Sequence, residues 1–254
     1  MNTLRVAISG HPITAFLIIA YAFTYILTFA TSISIAFGLL GLFGPAIAAI
    51  IVSWSDHTIP QLRARIVGWR RPAGWYVLAF GIPFGVAAVA RIILVASGTP
   101  VNGMGSITAI EAVIFVLVIG EEIGWRGFLQ PRLRLRMSLP VAGVATGIAW
   151  VMWHLPLYLA PDQGIEAFVR FAWWVIPLSV TMGVVAEWAR FSVIVATVMH
   201  GAANIATPIL LPSVDRTWWL VATGALYVVV AAVLVVVARQ RGADEPAPAT
   251  VSAP

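Results

Sequence analysis

Long apolar runs occupy most of the chain and constrain its fold more than any other feature. About 20 apolar residues in a helix cross the hydrocarbon core of a membrane. The sequence therefore predicts an all-α, multi-pass membrane protein of about eight transmembrane helices, with residues 1–241 as one transmembrane domain and 242–254 as a disordered tail. The interval 31–44 predicts a tight hairpin or a half-helix. The runs lie near residues 13–31, 37–54, 75–97, 107–128, 140–159, 167–188, 192–211 and 218–238.

Composition supports a membrane environment. The chain is 61% hydrophobic and only 10% charged, whereas soluble proteins average about 25% charged residues. All fifteen basic residues are arginine, and they fall mainly between the apolar runs rather than on a soluble face, so the net charge of +5 does not indicate a nucleic-acid partner. The absence of cysteine excludes disulfides, cysteine nucleophiles and thiolate zinc sites.

The distribution of arginine predicts the orientation of the helices. In an eight-span arrangement, only Arg170 and Arg216 of the loop arginines fall on one side. Cytoplasmic loops of membrane proteins are enriched in Lys and Arg, so the richer side is expected to be cytoplasmic. This places both termini in the cytoplasm and the loops around Asn102, Asp162 and Asp215 outside. The arginines on the richer side are Arg5, Arg63, Arg65, Arg70, Arg71, Arg132, Arg134, Arg136, Arg190, Arg239 and Arg241.

Several charged residues near the apolar runs have simple explanations. Arg91 can extend its side chain to the membrane interface, and helix-end solvation is expected for Glu111 and Glu187. The stretch Arg132–Arg136 has arginine at every second position. It predicts either a short amphipathic segment on anionic lipid or a solvated loop.

The fourth run contains charges that are harder to explain. It includes two adjacent carboxylates, Glu121 and Glu122, followed by Arg126. Charged residues inside membrane helices are costly and usually functional. Glu122 and Arg126 are four residues apart, so they can form an ion pair on one helix face. A structural ion pair between helices would explain both of them, but it leaves Glu121 without an intrahelical partner and available as a general base.

Two further runs each place polar groups at a spacing of four residues. The fifth run has Trp150 and His154 on one helix face, and the seventh has His200 and Asn204. The small residues between His200 and Asn204 would allow another helix to approach closely. A single histidine on an apolar helix is more often a packing residue than a catalyst, so the case depends on both pairs lying near Glu121.

Together these groups are sufficient for peptide hydrolysis. A carboxylate and an imidazole can activate water, while an imidazole and an amide can stabilise an oxyanion. The same side chains could instead hold zinc through His154, His200 and Glu121, with one position open for water. The HExxH zinc-protease motif is absent, and no phosphate-binding glycine loop supports nucleotide chemistry.

The order and spacing of these residues resemble the CPBP intramembrane protease family, also called the type II CAAX prenyl endopeptidase or Abi family, which includes bacteriocin-processing proteins. Its Glu-Glu-x-x-x-Arg motif corresponds to Glu121, Glu122 and Arg126. Its aromatic-x-x-x-His motif corresponds to Trp150 and His154, and its His-x-x-x-Asn motif to His200 and Asn204. The resemblance covers roughly residues 107–211.

The resemblance implies a helical bundle whose cavity opens to the cytoplasm and whose site cuts membrane-tethered peptides. Glu121 and His154 would activate the attacking water, and His200 with Asn204 would form the oxyanion site. Glu122, Arg126 and Trp150 would support these catalytic groups. The family is often named a metalloprotease, yet the same groups fit a metal-free glutamate mechanism, so zinc stays an open alternative.

The expected partners are therefore the lipid bilayer of the cell membrane and a membrane-anchored peptide or protein substrate. Leader-peptide processing, bacteriocin immunity and regulated cleavage of another membrane protein all fit this class. A small transporter or channel that uses the buried charges as an ion or proton site is the alternative function, although no inverted repeat is visible. A catalytically inactive membrane scaffold is a third possibility.

Overall fold

The computed structural model describes residues 3–32, 34–159 and 163–242, and these ranges contain helices and no β-strand. A 3₁₀-helix covers Ala30–Ser32 and a π-helix covers Trp125–Leu129. The α-helices are Thr3–Gly10 (α1), Pro12–Phe29 (α2), Ile35–Gly41 (α3), Gly44–Ser55 (α4), Ile59–Ile66 (α5), Ala73–Ala96 (α6), Ala109–Leu117 (α7), Ile119–Gly124 (α8), Gln130–Leu133 (α9), Leu139–Trp153 (α10), Leu155–Tyr158 (α11), Gly164–Trp188 (α12), Val193–Leu210 (α13) and Arg216–Gln240 (α14).

The all-α, multi-pass class is confirmed, although the count of eight spans is not. Within the described ranges, five helices are long and apolar enough to cross a membrane: α2, α6, α12, α13 and α14. A sixth span is obtained if α3 and α4, which meet at a bend of 42°, cross together. Of the two alternatives for 31–44, the half-helix is the one formed, because α3 is a separate seven-residue helix.

The fourth apolar run is a helix with two irregularities. Val118 both ends α7 and begins α8, and its carbonyl accepts hydrogen bonds from the amides of Glu121 (3.1 Å) and Glu122 (3.0 Å). One turn later the π-helix begins, with the amide of Gln130 donating to the carbonyl of Trp125 five residues earlier. Such wide turns occur often at functional sites.

Glycines allow the central helices to pack closely. A Cβ atom on Gly143 of α10 would lie 2.9 Å from the Cα of Val180 on α12, and one on Gly147 would lie 3.0 Å from the Cβ of Ser179. Extended contacts also join α12 to α14, α6 to α13 and α2 to α4. The resulting core is continuous from Phe16 to Tyr227 and contains several tryptophans.

The end of the molecule where most of the described arginines lie is held together by polar contacts. Arg132 donates to Asp56 Oδ2 (2.9 Å) and to Thr58 Oγ1 (2.7 Å), which ties α9 to the loop between α4 and α5. Arg65 donates to the carbonyl of Gly127 in the π-helix (2.9 Å). Burial, together with the positive charge of Arg132, lowers the pKa of Arg65 to about 10.

The structure corrects three interpretations of single charges. Arg134 is 2% exposed and forms a two-pronged ion pair with Glu187, at 2.6 and 2.9 Å. The stretch Arg132–Arg136 is therefore neither a wholly solvated loop nor a segment lying free on lipid, and Glu187 is paired rather than simply solvated. Arg91 donates to the carbonyl of Leu210 at the end of α13 (2.6 Å), so it stabilises a helix terminus instead of only reaching toward the interface.

Glu111 lies at a helix end, as expected, and caps that end. Glu111 forms a capping box with Thr108 at the start of α7, in which each side chain bonds the backbone amide of the other residue. The predicted disordered tail, apart from Gly242, and the predicted outer-loop residue Asp162 lie outside the described residues.

Candidate functional site

Trp150, near the end of α10, is the residue around which the predicted site residues gather. Its side chain is 2% exposed. The indole Nε1 donates to Glu121 Oε2 at 2.7 Å, and the ring lies edge-on to the His200 ring at a centroid distance of 4.7 Å. The Arg126 guanidinium carbon lies 4.7 Å from the centroid of the same ring. One aromatic side chain therefore contacts groups from α8, the π-helix and α13.

Glu121 is held in the interior with one oxygen bound. Its side chain is 2% exposed, and within the described residues only Oε2 has a hydrogen-bond partner, the Trp150 indole. Two glycines bring α8 against the bend between α3 and α4: a Cβ on Gly120 would lie 2.9 Å from the carbonyl oxygen of Leu42, and one on Gly124 would lie 2.3 Å from the Cβ of Pro45. Close packing of this bend therefore fixes the position of Glu121.

Glu122 joins two elements that are distant in the sequence. Its Oε1 accepts from Arg126 Nη1 at 2.9 Å, which confirms the predicted ion pair, and also from His200 Nδ1 at 2.9 Å. Both Glu122 and Arg126 are 0% exposed. Because a carboxylate oxygen only accepts, Nδ1 of His200 carries the proton, and Nε2 is the ring nitrogen directed away from the pair.

His154 lies at the C-terminal end of α10 and is partly buried. Its Nδ1 is 2.9 Å from the carbonyl oxygen of Trp150, so that nitrogen donates and Nε2 is free to accept in the neutral ring. The ring packs against Trp153 and Phe171, at centroid distances of 4.7 and 4.8 Å. These contacts fix the ring plane as well as its tautomer.

A cavity of about 210 Å³ lies beside His154. Its walls come from the C-terminal half of α2, from α3 and from α7 and α11, and include Thr24, Leu42 and Ile114. This is the end of the bundle opposite most of the described arginines. The predicted opening of the cavity toward the cytoplasm is accordingly not confirmed.

Asn204 lies one turn after His200 on α13 and is partly buried. Its amide has no hydrogen-bond partner within the part of the chain that the structure describes. The small residues between the two allow a close approach, as expected: a Cβ on Gly201 would lie 2.5 Å from Cδ2 of Phe115 on α7. Asn204 therefore shares a helix face with His200, but no hydrogen bond among the described residues fixes its side-chain amide.

A structural or catalytic metal ion needs three or more protein ligands that converge on one point. Among residues 3–32, 34–159 and 163–242, no group of three or more His, Asp or Glu side chains is placed to hold one. Nδ1 of His154 and Nδ1 of His200 already donate to a carbonyl and a carboxylate. Bonds of this kind also orient histidines that bind zinc through Nε2, so zinc held by Glu121, His154 and His200 stays a prediction.

Sequence reasoning missed two residues of the site, Ser179 and Phe171, and the contact between His200 and Glu122. Ser179 on α12 is buried, accepts from Arg126 Nη2 at 3.2 Å and donates to the carbonyl of Gly143 at 3.0 Å. Phe171 supports the His154 ring, and His200 is the second partner of Glu122. Ser179 could have been noticed as a hydroxyl in an apolar helix, but serine is too common in such helices to be a strong signal.

Comparison with known proteins agrees with the motifs. Residues 103–206 match the family described as type II CAAX prenyl endopeptidase Rce1-like. A protein of Methanococcus maripaludis named CAAX prenyl protease 2 is 30% identical over an alignment of 144 residues, and the match covers 52% of this chain and 52% of that protein. The chain thus spans about half the length of this relative. The resemblance predicted over 107–211 is confirmed, and the matched region contains all the predicted site residues.

Proposed function

We propose that this protein is an intramembrane endopeptidase that hydrolyses peptide bonds in membrane-anchored peptides or proteins. The observation that carries the proposal is the contact of Glu121, His154 and His200 with one buried residue, Trp150. A base, a neutral imidazole and a carboxylate-bound imidazole are gathered in an apolar interior. The match to a CAAX prenyl endopeptidase family over this region supports the same reaction class.

Glu121 and His154 are proposed to activate the water molecule. The Trp150 indole holds one carboxylate oxygen of Glu121, which leaves Oε1 to accept a proton from water. His154 donates from Nδ1 to a backbone carbonyl, so Nε2 presents a lone pair. General-base catalysis by such positioned groups contributes about 10²–10⁴-fold to rate.

His200 and Asn204 are proposed to stabilise the oxyanion. Glu122 accepts from Nδ1 of His200, and a ring protonated at both nitrogens would donate from Nε2 to the developing negative charge. The Asn204 amide, one turn further along α13, supplies a second donor. Glu122 and Arg126 do not contact the substrate in this scheme. Glu122 holds His200 in place, and Arg126 pairs with Glu122 and packs on the Trp150 ring.

The proposed substrate class follows from the surroundings of the site. The cavity beside His154 is mostly apolar, with threonine hydroxyls on one wall, which suits an extended peptide entering from the bilayer. The Methanococcus relative is named for prenylated CAAX substrates, and we propose only the broader class of membrane-anchored substrates for this chain. We further propose that α7–α9 and α10–α11 also cross the membrane, giving eight spans with both termini on the cytoplasmic side.

The proposal is tested by cleavage of a library of lipid-anchored and transmembrane reporters by purified full-length protein in liposomes. Glu121→Gln is expected to lower the cleavage rate by at least about 100-fold. Glu166→Gln is the matched control, because it makes the same change at a carboxylate whose side chain is 85% exposed. Size-exclusion profiles and thermal unfolding then check that both variants remain folded.

A chelator added to the same assay decides whether a metal participates, since loss of activity that zinc restores would assign one. Equal cleavage by wild type and Glu121→Gln would contradict the proposal. Solute flux across the liposomes that persists in Glu121→Gln, without cleavage, would instead favour the transporter interpretation.

A further inference from the structure

A polar pocket lies at the arginine-rich end of the bundle, away from the site described above. It has a volume of about 280 Å³ and is formed where the start of α2 faces the segment after α9. Its charged and titratable lining residues are Arg132, Arg136 and His11, and no acidic side chain of the described residues lines it. The pocket is therefore suited to an anion.

The two arginines of this pocket differ in whether their side chains are already paired. Arg132 is paired with Asp56, whereas Arg136 is exposed and, within the described ranges, its side chain makes no hydrogen bond or ion pair. The start of α2 adds positive character through the amides of Ile13 and Thr14, because Pro12 has no N–H, Ala15 already donates to the carbonyl of His11 (2.9 Å) and His11 provides no side-chain cap. One guanidinium and one helix end are thus free to bind the same anion.

An apolar groove continues from the polar pocket along α2. It has a volume of about 490 Å³ and shares His11 and Thr14 with the pocket. The rest of its wall is aliphatic, from Ile8, Ala15, Ile18, Ile19 and Ile51. A ligand that fills both parts must have an anionic head and a hydrocarbon tail.

We propose that the pocket and groove form a binding site for an anionic phospholipid. The phosphate would be bound by Arg136, assisted by Arg132 and the start of α2, and an acyl chain would lie against Ile18 and Ile51. Charge complementarity favours an anionic headgroup, since the Arg136 guanidinium has no acidic neighbour among the residues that line the pocket. Basic pockets at the ends of membrane helices bind lipid headgroups in this way.

The test is native mass spectrometry of the full-length protein in detergent, titrated with phosphatidylglycerol or with phosphatidylcholine of the same acyl chains. Phosphatidylglycerol is expected to bind about tenfold more tightly to wild type, and Arg136→Gln is expected to remove most of that difference. Arg63→Gln is the matched control, because Arg63 is also an exposed arginine of the same end but does not line the pocket. It should bind both lipids as wild type does.

Two further titrations distinguish a lipid site from a phosphate site. Dihexanoyl phosphatidylglycerol, whose chains are too short to fill the groove, should bind more weakly than the long-chain lipid, and inorganic phosphate should bind more weakly still. Equal binding of inorganic phosphate and the long-chain lipid would overturn the proposal. So would equal affinity for the two headgroups in wild type, or unchanged selectivity in Arg136→Gln.

Discussion

Two networks of arginine and carboxylate occur in this protein, and they differ in what they leave free. At the arginine-rich end, Arg132 and Arg134 pair with Asp56 and Glu187, and their remaining bonds go to hydroxyl and backbone oxygens. In the interior, Glu122 is fully used by Arg126 and His200, yet the adjacent Glu121 keeps one oxygen without a partner. The first network only joins helices and loops to one another, whereas the second also leaves Oε1 of Glu121 as an acceptor without a partner among the described residues.

The comparison shows that burial of charge alone does not identify a reactive site. Arg134 is 2% exposed, as buried as Glu121, but each of its three guanidinium nitrogens donates a hydrogen bond, to Glu187 or to the carbonyl of Met137. What distinguishes Glu121 is a single neutral donor, the Trp150 indole, which fixes the carboxylate without neutralising it. Three substitutions test the difference between the interior network and the network at the arginine-rich end.

The largest effect on stability is expected from Glu122→Gln. Removing one partner of a buried ion pair leaves Arg126 uncompensated, which costs about 3–5 kcal/mol in the free energy of unfolding. Cleavage should also fall, because His200 loses the carboxylate that orients it. Denaturant unfolding in mixed micelles measures the first effect. A cost below about 1 kcal/mol, the size expected of an exposed pair, would contradict the role of Glu122 as the centre of the interior network.

An intermediate effect is expected from Arg134→Gln. The ion pair with Glu187 is only partly buried, since the Glu187 side chain is 18% exposed, so water can solvate the carboxylate that remains. We expect a loss of about 1–3 kcal/mol in unfolding free energy with cleavage unchanged below the unfolding temperature. A large loss of cleavage by folded Arg134→Gln protein would show that the two networks are coupled rather than separate.

The smallest energetic effect is expected from Trp150→Phe. The ring contacts with His200 and Arg126 are retained in part, while the hydrogen bond to Glu121 is lost. Cleavage is expected to fall about tenfold, as for the loss of one hydrogen bond near 1.4 kcal/mol, with little change in unfolding temperature. Trp153→Phe is the matched control, because Trp153 donates to Thr24 and not to a site carboxylate. Equal losses in both variants would mean that the indole bond to Glu121 has no special part in cleavage.

The apolar runs were sufficient to predict the helical class, because each run corresponds to one helix or to a broken series of helices. The pairing of Glu122 with Arg126 was also predictable, since a spacing of four fixes a shared helix face. By contrast, the contact of Glu122 with His200 joins residues 78 positions apart and depends on how α8 and α13 pack. No local pattern encodes that distance.

The breaks within the runs differ in how well they could be predicted. The bend between α3 and α4 has a local signal, because Pro45 lies in the first turn of α4. The end of α7 at Val118 instead lies where Gly120 and Gly124 pack closely against Leu42 and Pro45. Likewise, Arg134 could be predicted to lie at a membrane boundary, but its partner on α12 is set by tertiary structure. Local sequence thus determines which segments are helical and which residues share a face, and packing determines their partners.

The π-helix at Trp125–Leu129 has a consequence for how this protein tolerates length changes. A wide turn contains one residue more than an α-helix needs, and each residue of an α-helix corresponds to a rotation of about 100°. Losing a single residue here would leave the number that an α-helix needs, so the segment that carries Arg132 and Arg134 would keep its direction relative to the one that carries Glu121 and Glu122. The wide turn thus absorbs one residue, whereas an uninterrupted α-helix of the same residue number would rotate one of the two segments by about 100°.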